Sequence, residues 1–203
     1  MLLTICIPSI TSRNEQFIKL FNNLHNQIID WKLSDKAHVI HEIDNKEISI
    51  GAKRQKMYEC AKGKFCVQID DDDSVAGDYV NQVVTAIEQN PDADFIGSYE
   101  SCNVDGDKFL TKHSNVFPDW CDYKVSMKKG ICRYGRTPFM KDPILTEHCL
   151  KIGVQDMRFA EDHDFARRLK VSGLIKNEVF IDDILYYYNR ISTPHEERYG
   201  IKR

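Results

Sequence analysis

Two acidic clusters hold the residue types that could do chemistry in this chain. Asp70-Asp71-Asp72-Asp73 follows directly on Phe65-Cys66-Val67-Gln68-Ile69, and Glu161-Asp162-His163-Asp164 follows Phe159-Ala160. Neighbouring carboxylates repel by about 1–3 kcal/mol per pair at ~6 Å and an effective dielectric of roughly 20–80. A hard divalent cation with oxygen ligands would reverse that cost. The competing reading is a solvated acidic turn, favoured by the positive end of a following helix. An EF-hand loop does not fit, because counting from Asp70 puts Val75 where glycine is needed and Asn81 where glutamate is needed. In the second cluster Asp164 has Arg168 at the i+4 spacing of a helical ion pair, whereas Glu161 and Asp162 meet Phe165 and Ala166 there. Those two acids therefore either favour a helix N-terminus or serve a ligand, and a carboxylate beside a bound nucleotide could act as a general base.

The elements around these clusters follow from periodicity. Phe65, Val67 and Ile69 alternate with Cys66 and Gln68, so the four acids fall at a strand's carboxyl end, where open α/β sheets bind ligands. Leu2 to Ile7 reads as a buried first strand stopping at Pro8-Ser9. Ser12-Arg13-Asn14-Glu15 has capping-box spacing, ahead of Phe17, Leu20, Phe21, Leu24 and Ile28 at helical spacing to about Trp31. Ala37 to Ile43 predicts a second strand ending in Asp44-Asn45, and Ser49 to Ala61 a helix with Gly63 in the stop position. Lys53, Arg54 and Lys56 lie on that helix, either as surface charge or reaching an anion or nucleotide. Val80 to Ile87 marks a third helix ended by Asn90-Pro91, and Asp94 to Tyr99 a fourth strand. Residues 100–137 predict loops and short strands, a candidate lid or binding surface. A short helix is expected over 143–152, another from Phe159-Ala160-Glu161-Asp162 to about Gly173, and late strands at Val179–Ile181 and Ile184–Tyr188. The β-loop-α-β order implies an α/β fold.

Composition narrows the class. The 203 residues suffice for one sizeable core, and 42% hydrophobic with 29% charged is an ordinary globular balance. With 28 Lys plus Arg against 31 Asp plus Glu, the net charge of −3 gives no global pull toward nucleic acid or anionic membrane. Seven cysteines include no CxxC pair, which fits reduced thiols in a cytoplasmic protein better than a zinc site or disulfide framework. Met1 to Pro8 is too short for a signal peptide, and no apolar run reaches membrane-spanning length.

With both clusters placed, the chain resembles a GT-A glycosyltransferase of family two. The likeness rests on Ile5-Cys6-Ile7-Pro8-Ser9, Asp44, Gly51-Ala52-Lys53-Arg54-Gln55, Ile69-Asp70-Asp71-Asp72, and Phe159-Ala160-Glu161-Asp162 with Arg167-Arg168-Leu169. It covers roughly residues 3–100 and 137–190. It implies a single GT-A (Rossmann-like) domain over 1–203, with a mostly parallel central sheet and helices on both faces. Residues 1–100 would be the nucleotide-sugar-binding half and 101–203 the acceptor-side half. The resemblance implies that Pro8, Ser9, Asp44, Lys53, Arg54, Asp70 and Asp71 hold a nucleotide-diphosphate sugar, with a UDP-sugar the expected donor. Asp72, Asp70 and His195 would hold Mn2+ or Mg2+, Asp162 would be the base, and Glu161 and Trp120 would face the acceptor. The implied reaction inverts the anomeric carbon.

Departures are visible too: strand two ends Asp44-Asn45-Lys46 instead of an acidic, Gly- and Ser-rich turn, and residues 101–136 match no named segment. Without membrane helices or an added C-terminal domain, a processive polysaccharide synthase is not expected. Glycans, lipid-linked sugars, proteins and a hydroxylated base in DNA stay open as acceptors. Three alternatives remain at this level. Asp70-x-Asp72-x-Ser74 mimics the nucleophile motif of a haloacid dehalogenase phosphatase, though two strands precede it. A nucleotidyltransferase would share the metal and nucleotide logic, and a non-catalytic module would bind nucleotide-sugar without turnover.

Overall fold

Leu3, Thr4, Ile5, Cys6 and Ile7 have no exposed surface, as expected of a strand covered on both faces. This strand, β1 (Leu3–Ile10), lies between β2 (Ala37–Asp44) and β3 (Phe65–Gln68), parallel to both. The structure, a computed structural model, describes residues 1–190, so His195 and the role expected of it lie outside the described residues. Between the strands run α1 (Asn14–Asp30) and α2 (Ile50–Cys60). After them come β4 (Ser74–Val75), α3 (Tyr79–Gln89) and β5 (Phe95–Val104).

Two local expectations are corrected. Ser12 does not cap α1: it sits in a 3-10 turn, Thr11–Arg13, and the helix starts from Arg13 with no side-chain cap. Gly63 does not stop α2, which ends at Cys60. It allows close approach instead, since a Cβ there would lie 2.5 Å from the Thr4 amide nitrogen.

Residues 100–137 hold the short strands expected, but paired into regular hairpins and not left as a loose surface. They form β6 (Asp107–His113), β7 (Cys121–Met127) and β8 (Gly130–Arg136), with β6 antiparallel to β5 and β7 antiparallel to β8. Asp105 and Gly106 take φ of 54° and 89° between β5 and β6, the left-handed conformation of a tight Asp-Gly hairpin turn. Then follow β9 (Ile144–Leu145), α4 (Thr146–Ile152), α5 (Glu161–Ser172) and β10 (Glu178–Arg190). The two late strands are one, with a register shift between Phe180 and Ile184.

The ten strands among the described residues share one sheet in the order β2-β1-β3-β9-β5-β6-β8-β7, with β10 beside β5 and β4 beside β10. The fold is a single α/β domain whose sheet is parallel around β1 and mixed beyond β9. The period of two in β3 divides its side chains between two cores. Phe65, Val67 and Ile69 enter the core beneath α1 and α3, and Cys66 enters the other with Phe165, Leu169 and Tyr58. Helices therefore cover both faces, and the ends of β1, β2 and β3 open on one edge. No helix among the described residues is long and apolar enough to cross a membrane.

Candidate active site

The four acids beyond β3 do not share one environment. Asp70 has both oxygens taken: Arg54 Nη2 donates to Oδ1 at 2.7 Å, and Lys141 Nζ lies 3.0 Å from Oδ2. Burial works against its charge, yet the two cations hold its carboxyl well below the usual range. Asp71 is buried and accepts from Ser9 Oγ at 2.6 Å and Arg13 Nη1 at 2.9 Å. Asp73 is buried against Lys141 and the Tyr186 hydroxyl, both on Oδ2. Its burial, with Asp70 nearby, pushes its carboxyl up to about 6 against those two donors. Asp72 differs: its side chain is 47% exposed and its ion-pair partner is Arg13, at 3.0 Å. Partial burial raises its carboxyl, Arg13 opposes, and Asp70 and Asp71 add to the rise.

On the β2 side, Asp44 accepts from the backbone N–H groups of Ile48 at 3.0 Å and Lys46 at 3.2 Å, which turns the chain toward α2. Ser49 caps α2 by accepting from Ala52, and the helix then sends Lys53 and Arg54 inward. Lys53 is buried, pairs with Asp44, and donates to the Ser9 carbonyl at 2.5 Å. Partial burial would raise the Asp44 carboxyl, but Lys53 and the two amides bring it to about 2. Arg54 is buried too, and its Nε donates to Glu161 Oε1 at 3.0 Å. One guanidinium therefore joins the two acidic clusters that the sequence sets 91 residues apart (Asp70 to Glu161).

Glu161 and Asp162 open α5 after Ala160, whose φ of 64° turns the chain sharply into the helix. The partners missing from their own helix come from elsewhere: Arg54 for Glu161 and Arg136, at 3.3 Å, for Asp162. Arg136 stacks 3.4 Å above the Phe139 ring and lies 5.4 Å from the Trp120 ring. Burial opposes ionisation of Asp162, but Arg136, then His163 and Arg54, hold its carboxyl below the ordinary value.

Two cavities meet at these residues. One, of about 870 Å³, is lined by Pro8, Ser9, Arg13, Asp44, Lys53, Asp71, Asp72 and Arg158. The other, of about 780 Å³, is lined by Glu100, Phe109, Trp120, Arg136, Lys141, Glu161 and Asp162. Arg54, Asp70, Phe159 and Tyr188 border both. Every expected site residue among the described ones lines one cavity or the other. Among the described residues, no three His, Cys, Asp or Glu side chains converge as a ligand cage.

Sequence reasoning missed Arg13, Lys141 and Arg136, which are the charge partners of the acids. It also missed a buried cluster behind the second cavity. His113 Nδ1 lies 2.7 Å from Asp142, and Nε2 lies 3.3 Å from Glu100, off the line of a hydrogen bond and so an ion pair alone. Burial disfavours the imidazolium, but the flanking carboxylates raise its pKa to about 9. Asp142 also accepts from the Phe139 amide, which fixes the turn that carries Lys141.

The family profile described as glycosyl transferase family 2 matches residues 22–149. Among solved structures, S. aureus TarS residues 1–349 in complex with UDP-GlcNAc superposes with a TM-score of 0.63 at 15% identity, covering 97% of this chain and 61% of that one. The same fragment in complex with UDP gives 0.62 at 15% identity, with 94% and 61% coverage. A further S. aureus TarS structure gives 0.55 at 14% identity, with 94% of this chain and 37% of that one covered. At such identity the likeness is one of fold, and the chain spans about three fifths of the fragment's length. Among curated proteins, none matches the chain.

Proposed function

The chain belongs to glycosyl transferase family 2, and from that premise we propose that it moves a sugar from a nucleoside-diphosphate sugar to an acceptor hydroxyl. The observation that carries this reading is the pair of cavities sharing Arg54, Asp70, Phe159 and Tyr188. A donor in the first would present its anomeric carbon at that wall, and an acceptor in the second would meet it beside Asp162. Residues 1–100 supply most of the donor side. The half expected over 101–203 supplies, from its described residues, most of the acceptor side, including Trp120 and Glu161. A UDP-sugar is the donor we expect, supported by TarS structures that hold UDP-GlcNAc and UDP.

The residues fit a hard divalent cation, Mn2+ or Mg2+. Asp72 turns a half-exposed carboxylate to the donor cavity, and such ions commonly take one or two protein carboxylates with phosphate and water. When bound, the cation would offset charge on the diphosphate leaving group. Asp70 is a poorer ligand than its sequence position implies, because Arg54 and Lys141 already occupy its oxygens. The same pairing speaks against a phosphatase, whose nucleophile it would be.

Asp162, kept ionised by Arg136, takes the proton from the acceptor hydroxyl as it attacks. Attack from the face opposite the diphosphate inverts the anomeric carbon. Lys53 and Asp44, locked together, orient the nucleotide end, and Arg54 fixes the spacing between the donor wall and α5.

A panel of nucleoside-diphosphate sugars with manganese tests this reading. A UDP-sugar should raise the melting temperature and undergo slow, metal-dependent hydrolysis to UDP. No stabilisation by any member of the panel would contradict the proposal.

A further inference from the structure

We propose that the Arg13 guanidinium is an internal counter-ion standing in the place of the divalent cation at Asp72, and that it must leave when the cation binds. This rests on the metal-dependent reading above.

One nitrogen, Nη1, serves two acids: it lies 2.9 Å from Asp71 Oδ1 and 3.0 Å from Asp72 Oδ2. It thus places positive charge between two of the carboxylates that line the donor cavity. The other acid oxygens with partners are held from within the fold. Asp70 is clamped on both sides, the second oxygen of Asp71 takes the Ser9 hydroxyl, and Asp73 is buried against Lys141. Arg13 alone comes from the surface side. It sits at the start of α1, its side chain is 44% exposed, and it lines the donor cavity. Its head is half in water, so it can leave once the cation takes over the charge of Asp71 and Asp72, whereas Lys141 and Arg54 are buried. A guanidinium and a divalent ion within a few ångströms of Asp72 repel each other, so the site holds one or the other. The fold thereby keeps four adjacent acids stable without metal, and it weakens binding of the bare cation.

The test is calorimetric titration of the full chain with manganese alone, in the absence of nucleotide. Arg13→Gln should bind Mn2+ about tenfold more tightly than the wild type, and Arg13→Lys should stay close to wild type. Equal or weaker binding by Arg13→Gln, with its circular dichroism unchanged, overturns the inference while leaving the metal assignment standing. Loss of Mn2+ binding in Asp72→Asn confirms that the ion measured is the one at this site, and Mn2+ bound undiminished in Asp72→Asn overturns the inference. No Mn2+ binding by wild type or Arg13→Gln overturns both the metal assignment and the role given to Arg13.

Discussion

The two cavities share a wall but are built by different means. The donor side stands on the ends of three parallel strands and on α2, and apart from the half-exposed Arg13–Asp72 pair its charges are locked in buried pairs: Lys53 with Asp44, Arg54 with Asp70 and Glu161. The acceptor side is closed by antiparallel hairpins and carries an aromatic face open to solvent, Trp120 at 41% exposure. The first arrangement fixes geometry before any ligand arrives, as a reacting centre requires. The second offers exposed aromatic contact surface beside that centre. On the proposed function, the parts that would bind a common donor lie on the sheet edge and α2, and those that would select an acceptor lie on the hairpins.

The sharpest way to separate the two sides is Asp162→Asn. Turnover should fall by about 10²–10⁴, the usual cost of losing a general base, with UDP affinity nearly unchanged. Release of UDP and calorimetric affinity measure the two together. Wild-type turnover would reduce Asp162 to an anion at a helix N-terminus.

His113→Ala tests whether the acceptor side has a rigid foundation of its own. Removing one partner from a buried charge cluster costs about 3–5 kcal/mol. The pH dependence follows from direction. His113 is raised from 6.5 to about 9, so its contribution is complete below pH 6.5 and is lost as pH rises through about 9. Glu100 is lowered from 4.5 to about 2, so its contribution is present above pH 4.5 and is lost as pH falls through about 2. Urea denaturation across pH should show wild-type stability falling above pH 6.5, and His113→Ala should flatten that limb.

Gly51→Ala breaks the donor side instead. A Cβ there would lie 1.9 Å from the Gln155 carbonyl oxygen, so α2 must shift and carry Lys53 and Arg54 with it. Such overpacking costs about 1–3 kcal/mol, and UDP affinity should fall with stability. Intact affinity in this variant would mean that the donor side is less rigid than described. Trp120→Ala is the smallest perturbation: stability should change by no more than about 0.5 kcal/mol, and UDP affinity by less than about twofold. A large loss of UDP affinity would erase the distinction between the cavities.

The sequence made much of the first half legible because β1 and β3 are covered on both faces, as in Leu3–Ile7, and α1 carries a strong apolar stripe of Phe17, Leu20, Leu24 and Ile28. The hairpins were harder to see. β7 is mostly exposed or half-buried on both faces, so no clean alternation marks it. The Asp105-Gly106 turn was a visible sign of the β5–β6 hairpin, and Gly130, at a φ of 142°, of the β7–β8 one. The acids of the site could be read from their position at strand and helix ends, but their partners could not. Arg136 with Asp162, Arg13 with Asp71 and Lys141 with Asp73 are 26, 58 and 68 residues apart, and only the folded sheet brings them together.

The central claim is that the acids beyond β3 form a cation-dependent donor site through Asp72. Calorimetry of UDP binding, with manganese and with chelator, to the wild type and to Asp72→Asn tests it most directly. The account predicts clear binding to the wild type with manganese, weak binding in chelator, and weak binding to Asp72→Asn in either. UDP binding to Asp72→Asn with undiminished, manganese-dependent affinity would contradict it.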